Sequence, residues 1–351
     1  MPAYHYRKYS CKTARLLSSA RGQHFLAIYI SFFIIGVIAT GPARSQFVID
    51  SSYIQRFKKT NDVEIYTGVT KTSFRFRKLT NDNYISRHKL FANTSAYTGF
   101  TIDYNWLSID YSKNIPNTSV AKQSTSIKAL GIHFRKTYNQ FLFEAGTDKY
   151  KGLILQVDRR QQGYYDDINY RSYFTRVSYI FNAERFSLNA ARSYSVLQAK
   201  SAGSFIVSAS PLYQRFTLKG GFDKYEESDS VFLSEISKKP SSLSFIVNGG
   251  YTYNFIFDRG EWSINPGMFM GPAIQKRLYQ KNGTSLKLIA NYQLVLNGGY
   301  NGQNVYFHVN AVYSNLSNHL MNSKMSINDR GVSLTIGYRM GKLKNKILGI
   351  L

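Results

Sequence analysis

Four histidines stand in the chain beyond residue 46: His88, His133, His308 and His319. A histidine works as a base when a nucleophile lies within hydrogen-bond reach and a third group orients the ring. By alternation along the chain, His133 and His308 fall on the polar faces of strands, and Asp103 and Glu144 fall on other polar faces. Serine is too abundant for one to stand out as a nucleophile, and no Gly-x-Ser-x-Gly elbow occurs. Hydrogen bonding inside a confined polar space is the simpler expectation for both histidines, and no catalytic residue is assigned. Metal chemistry has still less to build on, since no His-x-x-x-His, Glu-x-x-His or EF-hand spacing is present. Asp166-Asp167 reads as a polar loop pair, and neither a metal nor a cofactor is expected. Cys11, the single cysteine, lies in a segment expected to be removed, so no disulfide, thiol nucleophile or cysteine metal cluster is foreseen.

The charged residues are more informative. Asp103, Asp110, Glu144, Arg135, Arg176 and Arg339 fall on the same polar faces as His133 and His308. Charges on such faces must pair with one another or meet water. Together the eight residues form a predicted lumenal set. Paired, they would fill and tie shut a closed lumen; unpaired, the arginines would make a channel weakly selective for anions.

The elements that must carry these residues are strands. The clearest alternation runs from Leu243 to Phe257, with Leu243, Phe245, Val247, Tyr251, Tyr253, Phe255 and Phe257 on one face and Ser244, Asn248, Thr252 and Asn254 on the other. Val332, Leu334, Ile336, Tyr338 and Met340 alternate with Ser333, Thr335, Gly337 and Arg339 in the same way. Such runs exceed the usual soluble strand of about 5–6 residues and match the ~9–11 that a tilted strand needs to cross a bilayer. Their polar faces hold Ser, Thr, Asn and Gly with few charges, which suits a wet, enclosed lumen better than the outer face of a soluble sandwich.

Tight connections are expected at 138–140, 182–185, 258–260 and 297–303, and longer ones near 79–90, 114–124, 153–170, 215–240, 273–284 and 315–325. Counting with turn parity predicts an all-β, antiparallel transmembrane barrel of about 14 strands. That total requires a separate strand near Gln214–Phe222, hairpinned to Gly203–Pro211. The alternative is 12 strands, reached if Val63–Arg77 lies outside the wall.

Composition agrees with export and a membrane wall. Aromatics make up 15%, with 28 Tyr and 24 Phe, and mean hydropathy is −0.29, unlike a helical membrane protein. Proline numbers only 7 in 351 residues, as a closed ladder with few gaps requires. Residues 1–24 are basic, Phe25–Thr40 is an unbroken apolar run, and Gly41-Pro42-Ala43-Arg44-Ser45 follows with small residues at the cleavage positions. That order predicts a signal peptide over 1–45, cut before Gln46, a periplasmic segment over 46–61, the barrel over 62–340 and a basic tail over 341–351. Six of the 45 basic residues precede residue 46, where no acid occurs, so 39 basic and 20 acidic residues remain beyond it, a balance of +19. Spread through strands and loops without a nucleic-acid motif, this charge points to lipid headgroups and lipopolysaccharide phosphates as partners, and not to nucleic acid.

The strings Gly163-Tyr164-Tyr165-Asp166, Tyr179-Ile180-Phe181-Asn182, Arg185-Phe186-Ser187-Leu188 and Lys200-Ser201-Ala202-Gly203-Ser204-Phe205 resemble an uncharacterised domain-of-unknown-function family common in Bacteroidota. The resemblance extends over about residues 50–340, through Phe91-Ala92-Asn93-Thr94 and Gly337-Tyr338-Arg339. It implies an outer-membrane barrel, and insertion by the barrel-assembly machinery, but no activity. The expected function is a non-enzymatic outer-membrane barrel, either a narrow pore or a structural or binding envelope protein. The alternative is a lipid-modifying enzyme of the lipase or lipid A acyl hydrolase type.

Overall fold

A computed structural model describes residues 48–341, apart from 80–84, 93–95, 105–106, 119–128, 157–161, 219–235, 279–285 and 321–322. In chain order the elements are β1 (Ile54–Gln55), β2 (Asn61–Leu79), β3 (Ile85–Ala92), β4 (Ala96–Tyr104), β5 (Leu107–Asn114), β6 (Ala129–Tyr138), β7 (Phe141–Gln156), β8 (Gln162–Ile180), α1 (Leu188–Arg192), β9 (Leu197–Gln198) and β10 (Ala202–Leu218). There follow β11 (Ser241–Phe257), β12 (Trp262–Arg277), β13 (Lys287–Asn301), β14 (Val305–Leu320) and β15 (Ser323–Met340).

Alternating sequence becomes a two-faced wall. On β15, Leu334, Ile336 and Tyr338 are exposed on the outside, while Thr335 and Arg339 are buried within. The same outward apolar surface continues through Leu294 and Leu296 on β13 and Phe307 and Val309 on β14. All neighbouring strands of the sheet pair antiparallel, and it closes on itself where β15 pairs with β2, from Met340↔Asn61 to Lys324↔Arg77. Among the described residues the wall is a closed twelve-stranded barrel with one extra strand, β3. Twelve is the smaller of the two counts the sequence allowed, though not for the reason foreseen, because Val63–Arg77 belongs to β2 in the wall. The strand expected separately at Gln214–Phe222 does not exist as such: β10 runs unbroken through Pro211 to Leu218. Pro211 keeps its partner Phe245 on β11 but falls in a gap of the β8 register, between Ala209↔Val177 and Leu212↔Phe174. A residue without an N–H is accommodated by that local break, with no need of a turn.

The extra strand makes the wall unequal along its height. β3 and β4 both run antiparallel to β2, β3 along Ser73–Leu79 and β4 along Asp62–Val69. β3 then pairs directly with β7 at Leu153–Gln156, whereas β4 is followed by β5 and β6 before β7 is reached at Phe141–Tyr150. A bulge between Lys151 and Leu153, with Gly152 at φ 79°, lets β7 change partner. The wall is therefore twelve strands around at the end bearing the termini and ten at the other, forming a neck.

Both ends of the barrel are filled. At the neck, inward side chains form an apolar cluster around Phe74, Phe76, Leu90, Tyr170, Phe216 and Ile327, joined by Ile236 from the β10–β11 connection. Phe74 on β2 and Phe216 on β10 meet edge to face at 5.2 Å across the lumen. At the terminus end most connections are tight turns, including Tyr138–Phe141 with Asn139 at φ 50° and Asp258–Gly260. The β8–β10 connection is different: the expected tight turn at 182–185 is only the start of a 21-residue insertion, 181–201, that folds into the lumen.

Candidate functional site: the lumen

The insertion is built locally. Ser187 caps α1 by accepting from the Ala190 N–H at 3.2 Å, and Leu188, Ala190 and Ala191 are buried. Gln198, 1% exposed, holds the two arms together: its Nε2 donates to the Arg185 carbonyl at 2.6 Å and its Oε1 accepts from the Ser187 N–H at 3.0 Å. Inward polar side chains of the wall then dock it. Asn297 donates to the Ala191 carbonyl at 2.7 Å, Asn301 to the Val196 carbonyl at 3.0 Å, and Ser263 to the Tyr194 hydroxyl at 3.0 Å. Asn297 thus serves the wall as a strand residue, not as the turn residue its composition suggested.

Arg339 is the central fastener, 1% exposed. Its guanidinium donates to the carbonyls of Gly302 and Tyr194 and to Asn301 Oδ1, and it lies 3.7 Å from the Phe57 ring and 4.4 Å from the Tyr306 ring. Phe57 comes from the segment before the barrel, which crosses the same end and pairs β1 with β9. The residues placed at 46–61 as a periplasmic segment therefore include part of the seal. Burial pushes the Tyr194 hydroxyl up to about 12 and the Arg192 guanidinium down to about 10.

Above the insertion, strand register sets charged side chains side by side. One row carries Arg339↔Asp62↔Asp103 and Arg135↔Glu144↔Arg176. The next row carries Glu64↔Thr101↔Asp110↔His133↔Gly146. Glu144 lies 3.5 Å from both Arg135 and Arg176, and Arg192 reaches the same cavity from α1. His133 is held between carboxylates, 3.5 Å from Asp110 at Nδ1 and 3.3 Å from Asp148 at Nε2. The ring lies over Gly146, where an added Cβ would stand 2.2 Å from its Cδ2, so only glycine permits this placement.

The structure places the residues expected in the lumen in two groups. Asp103, Asp110, His133, Arg135, Glu144 and Arg176 line a cavity of about 550 Å3, with His308 at its edge. Arg339 lies beneath it in the seal. His308 is 5% exposed and stacks on Tyr194 at 4.7 Å with the planes 2° apart, and neither ring nitrogen has a hydrogen-bond partner. A second cavity of about 210 Å3 adjoins the first through Asp148, Tyr150 and Arg176 and reaches Asp329 and Gln214.

Sequence reasoning overlooked several of the residues that matter. Asp62, Glu64 and Asp148 join the acids already foreseen; Asp148 shares the face of Glu144 by simple alternation and was legible, whereas Asp62 and Glu64 lie at the start of a stretch whose place in the wall was open. Arg192 and Tyr194 had no such signal, because a five-residue helix leaves no periodicity to read. Gln214, Asn318 and Gln275 also escaped notice. Asn318 donates to Gln214 Oε1 at 2.5 Å, Gln214 donates to the Tyr170 hydroxyl at 2.7 Å, and Gln275 donates to Asn318 Oδ1.

Chemically, this arrangement favours fixed pairing. Neither described histidine is hydrogen-bonded to a serine: both nitrogens of His133 face carboxylates, and those of His308 face no partner. Of the arginines that might have formed a cationic ring, Arg135 and Arg176 face Glu144, and Arg339 donates to backbone carbonyls. Asp62, Glu64 and Asp103 bring carboxylate oxygens within 4.8 Å of one another, beside Arg135 and Arg339.

No curated protein matches the chain in sequence. Among solved structures, the chain is similar to the outer membrane protease OmpT from Escherichia coli, with TM-score 0.37 and 7% identity over 83% of this chain and 100% of that one. An outer membrane channel from Pseudomonas putida F1 gives TM-score 0.39 and 9% identity over 85% and 100%. The outer membrane protein OprG from Pseudomonas aeruginosa gives 0.27 and 9% over 82% and 100%. Likeness at this level says nothing of activity. Residues 48–340 match the family described as Domain of unknown function (DUF4421), nearly the whole of the barrel and its seal, and the chain belongs to that family.

Proposed function

We propose that this protein is a non-enzymatic outer-membrane barrel that is closed at rest, a structural or binding element of the envelope and not a standing pore. The observation that carries the reading is the side-chain bridge from Gln214 on β10 through Asn318 on β14 to Gln275 on β12. It crosses the ten-stranded neck from wall to wall, beneath the Phe74–Phe216 contact. The docked insertion closes the other end. Solute passage would require two separate rearrangements.

The membrane assignment rests on the outward face: Leu288, Leu294, Leu296, Leu334 and Ile336 are exposed on long, paired strands, a surface that water would not tolerate at this extent. The reading includes export with cleavage before Gln46, insertion by the barrel-assembly machinery, and lipid and lipopolysaccharide as the surrounding partners. The purified mature chain in planar bilayers should give no steady conductance steps. Regular steps from the unmodified protein would overturn the closed reading. Recovery of the intact chain from the inner membrane, with residues 1–45 attached, would overturn the location. Altered lipid A mass on expression would favour the enzymatic alternative.

A further inference from the structure

We infer that the outer surface of β15, β2 and β3 near the neck binds lipopolysaccharide through the phosphates of its lipid A anchor. Register sets like charges side by side there. Lys71 on β2 is the cross-strand partner of Arg330 on β15, and Arg75 on β2 is that of Lys89 on β3. The row beyond them is again basic in sequence, Lys324↔Arg77↔Arg87. The intervening positions fix the face. Thr72 and Asp329 line the smaller cavity, while Phe74, Phe76, Leu90 and Ile327 fill the neck. By alternation Lys71, Arg75, Lys324 and Arg330 point outward, and all four are exposed.

Like charges directly opposite one another weaken a sheet. The outward positions between these cations hold Ser73, Ser326, Asn328 and Phe91, none of them acidic. Among the described residues no carboxylate forms an ion pair with Lys71, Arg75, Lys89 or Arg330. The Lys71 and Lys89 ammonium groups lie 5.8 Å and 5.7 Å from the Phe91 ring, and the Arg330 guanidinium lies 5.0 Å from the Tyr313 ring. Aromatic faces hold these cations in place without neutralising them. The compensating anion must come from outside the wall.

The position of the cluster selects the ligand. Nearer the termini on the same two strands, Ile65, Val69, Val332, Leu334 and Ile336 are exposed and apolar, a surface for acyl chains. Level with Arg330, Tyr313 faces outward and is hydrogen-bonded to Tyr292 at 3.1 Å, as interfacial tyrosines are placed where chains give way to headgroups. The neck end carries the connections 219–240 and 278–286, and barrels of this kind turn their longer connections to the cell exterior. Lys71 and Arg75 stand about 13 Å apart along β2, at about 3.3 Å per residue. That spread suits a glycolipid headgroup with more than one phosphate better than the single phosphate of a phospholipid. The inference deepens the outer-membrane reading and rests on it.

The test uses the mature chain purified in detergent and titrated, under native mass spectrometry, with lipid A, with lipid A stripped of its phosphates, and with phosphatidylglycerol. Lipid A should be retained most strongly of the three. Lys71→Gln, Arg75→Gln and Arg330→Gln should each weaken its retention by roughly fivefold. Arg259→Gln, in an exposed turn at the other end, should leave it unchanged and so separates the site from general surface charge. The three wall variants should unfold no earlier than the unmodified chain in lipid-free detergent, since each removes a like-charge contact. Lost retention then reads the site and not the fold. Equal retention of phosphate-free lipid A or of phosphatidylglycerol, or unchanged retention in the folded variants, overturns the site. Cell fractionation keeps the two failures apart: a folded barrel in the outer membrane without phosphate-dependent retention loses the site alone, whereas a chain found elsewhere loses the location as well.

Discussion

Asn318 on β14 and Gln214 on β10 are hydrogen-bonded across the lumen at 2.5 Å, although three strands separate them around the wall. Both are buried, at 1% and 2% exposure, so neither has water as an alternative partner. Replacing Asn318 by Ala strands Gln214 Oε1 and removes one acceptor of the Gln275 amide. The expected loss is about 1–3 kcal/mol for each group left without a partner, read as a lowered urea midpoint in detergent. Conductance should remain absent in this variant, because the Phe74–Phe216 contact and the insertion persist.

Arg339 should be the most sensitive position in the seal. Hydrogen bonds to a charged group contribute about 1.5–3 kcal/mol, and Arg339→Ala leaves the Gly302 and Tyr194 carbonyls and Asn301 without their donor. Cleavage within 181–201 by an added protease should accelerate while the wall strands stay protected. Arg339→Lys should rescue little, since one ammonium cannot reproduce a planar fork lodged between the Phe57 and Tyr306 rings.

Glu144 balances arginines on both sides. Glu144→Gln removes the charge shared by Arg135 and Arg176, with Arg192 in the same cavity. The arginine side chains are 44% and 31% exposed, so the expected loss lies below the about 3–5 kcal/mol of a buried pair and above the ~0–1 kcal/mol of an exposed one. Exchanging Arg135 for Met in the same chain should restore part of it; a double variant no more stable than Glu144→Gln would show that like-charge repulsion is not the cause.

The two faces of β15 give a control on the wall itself. Leu334→Arg sends a charge outward and should cost about 2–4 kcal/mol if it lies near the bilayer midplane. Thr335→Arg turns inward beside a cavity lined by Glu64, Asp103 and Asp110, where the charge finds acids and space. A clearly smaller loss is expected, measured by unfolding in lipid vesicles. Equal losses would mean the faces are reversed.

Period-two patterning by itself determined the class of fold and the outward and inward faces of most strands. The physical reason is that a strand's side chains alternate with no freedom of phase: once Leu334 faces lipid, Thr335 and Arg339 must face inward. The same rule could have placed Asp148 with Glu144. What alternation cannot carry is anything that breaks strand periodicity or depends on how far apart two strands lie around the ring. The division of one path along β2 into β3 and β4 is of this kind, as is the passage of β10 through Pro211. So is the entry of residues 181–201 into the lumen, where a turn-like string, a five-residue helix and one buried glutamine make a seal. Whether the inward charges would be free or paired was equally beyond a linear reading. It depended on closure, because Arg339, Asp62 and Asp103 become neighbours only when β15, the last strand, pairs with β2, which lies beside β4.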